Sequence, residues 1–221
     1  PYFETWPPKS HTQIFFDSRN KGNAEVYAKE ILTTFISRAF RRPATKDEVS
    51  LYYNFWSAVR GEYSAFEDGI RETLVAVLCS PNFIYLAEGN PEKKPKQDRE
   101  YELASRLSYF LWNGPPDEEL YNLAAKGQLE RQLGAQVERM VQDSRSWNFV
   151  TSFSNQWLKL YRHNEQAVDI GRYPQFTRYI KSDMELETHH FINYLLQKDL
   201  SIFDMIDSDF VVINQNLAEY Y

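Results

Sequence analysis

The sequence is poor in the residues on which most recognisable chemistry is built. It holds a single cysteine, Cys79, so neither an internal disulfide nor a Cys-x-x-Cys-His haem attachment can form within its 221 residues. Its 8 glycines are near half of the roughly 7% average share, which disfavours a turn-rich all-β architecture. They supply no Gly-x-Gly-x-x-Gly and no Gly-x4-Gly-Lys-Ser/Thr phosphate loop, and a Gly-x-Ser-x-Gly nucleophile elbow is also missing. Positive charge is in deficit: 25 Lys plus Arg against 31 Asp plus Glu leave a net charge of −6. No global positive field exists to recruit nucleic acid. Long apolar runs are missing as well, the longest being the six residues Leu74–Cys79, far below the roughly 20 that span a bilayer. Beginning at Pro1 without an initiator Met or signal peptide, and closing on Tyr220-Tyr221, the chain reads as a piece of something longer.

What is abundant is core-forming material. Hydrophobic residues make up 43% and charged ones 25%, with 15 Phe, 15 Tyr and 5 Trp, the balance of a globular protein rather than a disordered one. Residues 1–22, with three prolines and the aromatic stretch Thr12–Phe16, read as an extended arm or the end of a preceding β domain. From Ala24 the period becomes helical. Tyr27, Ile31, Phe35 and Ala39 form one i+4 row beside Ala28, Leu32, Ile36 and Phe40, which predicts a deeply buried helix stopping before Pro43. Thr45-x-x-Glu48 and Ser64-x-x-Glu67 have the spacing of capping boxes and predict two further helix starts.

Ser80-Pro81 ends this small unit of three helices, over 23–88, and residues 89–98 (GNPEKKPKQD) have the composition of an exposed linker. A larger helical domain is expected over 98–221. Its helices are signalled by Leu103, Leu107, Phe110 and Leu111, by Pro115-Pro116-Asp117 before Leu120, by Leu133 to Val141, by Val150, Phe153, Trp157 and Leu160, and by a long stretch from Phe176 to about Gln197. The prediction is an all-α fold: a helical bundle of about eight helices in two adjoining units, with an extended N-terminal arm. The aromatic stripes, with Trp56, Trp112, Trp147 and Trp157, are expected in the core, and so is Cys79. Trp6, in the proline-rich arm, is expected to pack against a neighbouring domain.

One constellation has metal-like spacing. In Asp183-Met-Glu185-Leu-Glu187-Thr-His189-His190, Glu187 and His190 are the i, i+3 pair of a Glu-x-x-His motif, and Glu185 and His189 an i, i+4 alternative. A di-iron carboxylate bundle needs two such motifs and two further glutamates, and His11 and His163 have no Glu three residues before them. The competing view is structural: Glu187 lies beside the stripe Met184–Phe191 and would need a partner there, with Arg106, placed similarly between Leu103 and Phe110, as the first candidate. Arg38, Arg41, Arg42 and Lys46 cluster at a helix C-terminus, where the dipole favours cations.

Particular strings carry a resemblance: Ser37-Arg-Ala-Phe-Arg-Arg-Pro43, Ser80-Pro-Asn-Phe83 with Glu88, Leu103-Ala-Ser-Arg-Leu-Ser-Tyr-Phe-Leu-Trp112, Pro116-Asp-Glu-Glu-Leu120, Val137-Glu-Arg-Met140, Gln156-Trp-Leu158 and Asn214-Gln-Asn-Leu-Ala218. Together they resemble the large planctomycete-type proteins assembled from numbered domains of unknown function, residues 24–88 being similar to the domain numbered 1595 and 98–221 to the domain numbered 1592. The resemblance implies an exported parent, in the periplasm, cell envelope or outside the cell, in which such helical domains accompany a c-type cytochrome domain. It implies that Arg38, Arg106 and Glu187 stand at recurrent positions. It transfers no catalytic residue, and any c-type haem would belong to another part of the parent. The expected function is a non-catalytic helical scaffold or interaction region whose partners are flanking domains of the same parent. The alternatives are a metal-dependent oxidoreductase or hydrolase fragment using Glu187 and His190, and a carbohydrate- or polymer-binding module using exposed Trp and Tyr.

Overall fold

The computed structural model of the chain describes residues 6–86 and 95–221; the first five residues of the arm, Glu88 and residues 89–94 of the expected linker lie outside the described residues. Among the described residues there are twelve α-helices and no strand, and eight of the helices are seven residues or longer. The all-α class and the eight longer helices follow the hydrophobic period. Packing divides the chain into two compact units, Pro1–Arg106 with Pro115–Glu130, and Leu107–Gly114 with Arg131–Tyr221.

The first unit is built on α2 (Ala24–Ala39), α3 (Lys46–Val59) and α4 (Phe66–Leu78). Tyr27, Ala28, Ile31, Leu32 and Ile36 of α2 meet Trp56 of α3 and Ile70, Leu74 and Val77 of α4 in one cluster. Two of the three helices, α2 and α3, start at a side-chain cap. The Asn23 side chain accepts the N–H groups of Glu25 and Val26, and Thr45 and Glu48 form the reciprocal capping box their spacing predicts. The second expected box does not form: α4 begins after Ala65, whose extended backbone takes the cap position without a side-chain bond. The arm is not extended throughout, because Lys9–Ile14 form a short helix, α1. Cys79 corrects another expectation. As the C-cap of α4 it lies beyond the stripe that buries Leu74 and Val77, and it is exposed.

The compositional linker is not where packing divides the chain. After α5 (Pro81–Ile84), residues 96–106 of α6 (Lys96–Trp112) and all of α7 (Glu118–Ala125) belong to the first unit. Glu100, 2% exposed, accepts the backbone N–H groups of Leu129 at 2.7 Å and Glu130 at 3.2 Å. Tyr121 of α7 packs its ring against Tyr101 at 5.1 Å and shares a hydrogen bond with Ser37 of α2. Burial pushes the Tyr121 phenol up to about 12.

The second unit contains residues 107–112 of α6, then α8 (Leu133–Gln142), α9 (Trp147–Trp157), α10 (Tyr161–Glu165), α11 (Arg178–Lys198) and α12 (Gln215–Tyr220). Leu111, Trp112, Met140, Val150, Ile180, Ile192, Leu195 and Leu217 are its buried apolar residues. The Trp112 indole donates to the Met140 carbonyl at 3.0 Å. The Arg145 guanidinium lies 3.4 Å from the Trp112 ring centroid while Asp143 holds it at 2.6 Å, so the cation over the ring is already neutralised. Thr177 caps α11, Asp199 ends it in a left-handed conformation (φ 50°), and Asn214 caps α12. No helix among the described residues is long and apolar enough to cross a membrane.

Candidate functional site

Helix α11 separates the members of the Glu-x-x-His constellation by exposure. Glu187 is half-buried and accepts a hydrogen bond from the Tyr221 phenol at 2.7 Å. His190 is exposed, its ring 4.8 Å from that of Trp147. Asp183 accepts from the Asn216 side chain at 3.2 Å. Among the described residues no group of three or more His, Cys, Asp or Glu side chains is placed to hold a metal ion. An ion pair with Arg106 presupposes a buried Glu187. The carboxylate instead keeps access to water and its partner is a phenol, while Arg106 is exposed on α6.

His189 is the buried member, 4% exposed. Its Nε2 lies 3.2 Å from Oδ1 of Asn155, an acceptor, which makes Nε2 the protonated nitrogen. Nδ1 is buried with no hydrogen-bond partner. The Trp147 ring meets the imidazole edge-on at 6.1 Å. Burial pulls the imidazole pKa down, with Glu185 opposing and His190 reinforcing. His163, in α10, places Nε2 3.1 Å from the Lys181 carbonyl, and His11 approaches Glu67 at 3.9 Å.

The basic cluster at the end of α2 is mostly structural. Arg41, 7% exposed and at φ 59°, turns back so that its guanidinium donates to the carbonyls of Asn82, Phe83 and Tyr85 at 2.9 to 3.2 Å. It thereby satisfies carbonyls that the four-residue helix α5 cannot bond internally. Arg42 pairs with Glu48 at 2.6 Å, and this bond holds the carboxyl below its ordinary range. Arg38 is exposed.

The feature with the form of a binding site is one that periodicity assigns to the core. On α6 and α9 the rings of Phe110, Phe149, Phe153 and Trp157 make a continuous ladder, with centroid separations of 5.0, 5.4 and 5.2 Å. Phe149, Phe153 and Trp157 succeed one another at i+4, so their rings stack along one face of α9. This corrects the expectation for Phe110, Phe153 and Trp157: Phe110 is 64% and Trp157 52% exposed, and Phe153 is exposed too. Val150 and Ser154 form the buried face of α9 instead. The ladder borders an open groove of about 490 Å³, within the usual range of ligand clefts. Its other walls are Tyr109, Asn113, Asn148, Ser152 and Gln156, so no lining residue carries a formal charge. Asn148 donates to the Trp112 carbonyl at 2.8 Å and Gln156 to the Ser152 hydroxyl at 3.0 Å, which fixes both amides against the groove wall. The groove can offer aromatic contact and neutral hydrogen bonds. Apart from the phenol of Tyr109 it has no acid, base or thiol.

Fold and site together define an all-helical protein of two units that presents an aromatic surface. The chain belongs to the family described as protein of unknown function (DUF1592), whose model matches residues 99–221, and residues 27–88 match a second, described as protein of unknown function (DUF1595). Both matches agree with the resemblance carried by the sequence strings. No curated protein and no solved structure matches the chain. The first family match begins inside the first packing unit, since residues 99–106 and 115–130 are compacted there.

Proposed function

We propose that the chain is a non-catalytic helical scaffold and interaction region of a larger exported protein, and that the aromatic groove of the second unit is its contact surface. One observation carries this reading: Phe110, Phe153 and Trp157 are exposed on a cleft whose nine lining residues include no ionisable acid, base or thiol other than the phenol of Tyr109. Large rings left in water gain most from being covered, and rigid aromatic side chains are the anchors from which interfaces draw most of their affinity. The resemblance to planctomycete-type multidomain proteins supports the setting, a cell-envelope, periplasmic or extracellular parent in which the region packs against or presents a cytochrome-type redox domain. With Cys79 as its one cysteine, this chain supplies no c-type haem attachment, so haem chemistry is assigned to a flanking domain.

The contact is tested by hydrogen exchange on the parent protein and on the 221-residue chain. Amides of α9 are expected to be better protected in the parent, and Phe153→Ser with Trp157→Ser to abolish the difference. Identical protection in both proteins sinks the reading. Haem staining of the parent tests the redox setting, and absence of covalent haem there removes it.

A second reading is favoured by the same walls. Rings flanked by Asn113, Asn148, Ser152 and Gln156 suit a neutral polyhydroxylated chain, such as a carbohydrate, which presents apolar C–H faces and hydroxyl groups without charge. Titration with neutral oligosaccharides, read by Trp157 fluorescence, distinguishes this reading: a flat response in the wild type excludes it.

A further inference from the structure

The segment that follows α11 presents a second surface, which is acidic where the groove is uncharged. Residues 199–221 contain five carboxylates, Asp199, Asp204, Asp207, Asp209 and Glu219, and neither Lys nor Arg. Among the described residues, none of the four aspartates forms an ion pair. Between them the chain exposes large apolar side chains: Ile206 is 87%, Phe203 73% and Ile202 62% exposed. Scattered apolar residues on a surface need no explanation, but three within five residues form a patch.

The patch is held in place. Phe210 anchors its far end against Phe191 and Tyr194 of α11, with centroids 5.5 and 5.4 Å apart. The near end is fixed by the Leu200 N–H, which donates to the Leu195 carbonyl at 3.0 Å. Ser201 caps a 3-10 turn over Ile202–Met205 by accepting the Phe203 N–H, and the N–H groups of Ile206 and Asp207 close on the Phe203 carbonyl. A partner would therefore meet a preorganised turn and would not have to order it.

We infer that the Asp199–Val211 turn is a docking surface for a cationic protein partner, one with an apolar hollow rimmed by Lys and Arg. Charge complementarity selects this occupant. Four unpaired carboxylates repel nucleic acid phosphates and anionic membrane surfaces, and a twofold contact with a second copy would oppose the same aspartates to each other. The apolar side chains stand largely exposed on and beside the Ile202–Met205 turn, so the hollow that covers them belongs to the partner. This surface is separate from the aromatic groove and does not depend on what the groove binds.

The probe is a short amphipathic helical peptide built only of leucine and lysine, titrated into the isotope-labelled chain and followed by NMR. Shifts are expected at Asp199–Val211, with affinity that weakens as salt rises. Phe203→Ser with Ile206→Ser should weaken binding about tenfold, the scale of losing an apolar anchor. Asp204→Asn, Asp207→Asn and Asp209→Asn combined should flatten the salt dependence, while Trp157→Ser leaves both unchanged. The inference is overturned if a leucine–glutamate peptide binds as well, if no shift occurs at Asp199–Val211, or if the shifts fall on α9 and vanish in Trp157→Ser. Concentration-dependent self-association abolished by Ile206→Ser would also overturn it, by making a second copy the occupant.

Discussion

The Tyr221 phenol donates a 2.7 Å hydrogen bond to Oε2 of Glu187, tying the end of α12 to the middle of α11. Burial first, then the bond and charge of Glu187, push this phenol up to about 12 from 10.0. A raised folded value means that the contribution is fully present below pH 10 and is lost as pH climbs toward 12. Because the ring is largely exposed, Tyr221→Phe should cost less than about 1 kcal/mol at neutral pH. Ultraviolet titration of tyrosine should lose one late-ionising phenol in the variant, and an unchanged titration curve would contradict the assignment.

His189 makes the second unit acid-sensitive. Its pKa is depressed below 6.5, chiefly by burial, so its contribution is intact above pH 6.5 and falls as pH drops through the folded value. Protonation would place an N–H on Nδ1, which has no acceptor. The urea midpoint should decline between pH 7 and about pH 5 in the wild type and decline less in His189→Phe. Equal slopes in the two proteins would exclude His189 as the group responsible.

Arg41 holds the end of the 27–88 family segment together through three carbonyls. Lysine keeps the charge but not the planar fork, so Arg41→Lys should destabilise the protein by about 1–3 kcal/mol. Calorimetry is the measurement. A melting temperature equal to that of the wild type would show that these bonds contribute nothing net.

Glu100 offers a comparison of charge against hydrogen bonding. Its Oε2 serves two N–H groups, while Oε1 is buried without a partner. Glutamine keeps the accepting oxygen and removes a buried charge, whereas alanine leaves two amides without their acceptor. We expect Glu100→Gln to lie within about 1 kcal/mol of wild type and Glu100→Ala to cost about 2 kcal/mol or more. Chemical denaturation of both variants decides, and equal losses would show that the charge itself is needed.

Much of this architecture was legible in the chain. The rows Tyr27–Ala39 and Ala28–Phe40, the Thr45/Glu48 box and the stop at Asn113-Gly114 all act within a few residues, where backbone geometry and side-chain spacing determine each other. The Ser64/Glu67 spacing failed because a capping box needs the helix to start at one particular residue, and here the start slipped to Phe66. The groove was not legible for a different reason. A helical period shows that Phe149, Phe153 and Trp157 share a face, but it cannot show whether another element covers that face.

The sequence alone determined the eight longer helices, the Thr45/Glu48 cap, the all-α class and the family, since these depend on local periodicity and on strings of adjacent residues. Tertiary structure alone decided that Phe110 and Trp157 face water, that Cys79 lies outside the core, and that a half-buried Glu187 accepts a hydrogen bond from Tyr221. It also moved the packing boundary into α6, where Glu100 reaches across to Leu129 and Glu130. Burial belongs to pairs of segments distant in the chain, and no run of neighbouring residues encodes which of its faces will find a partner.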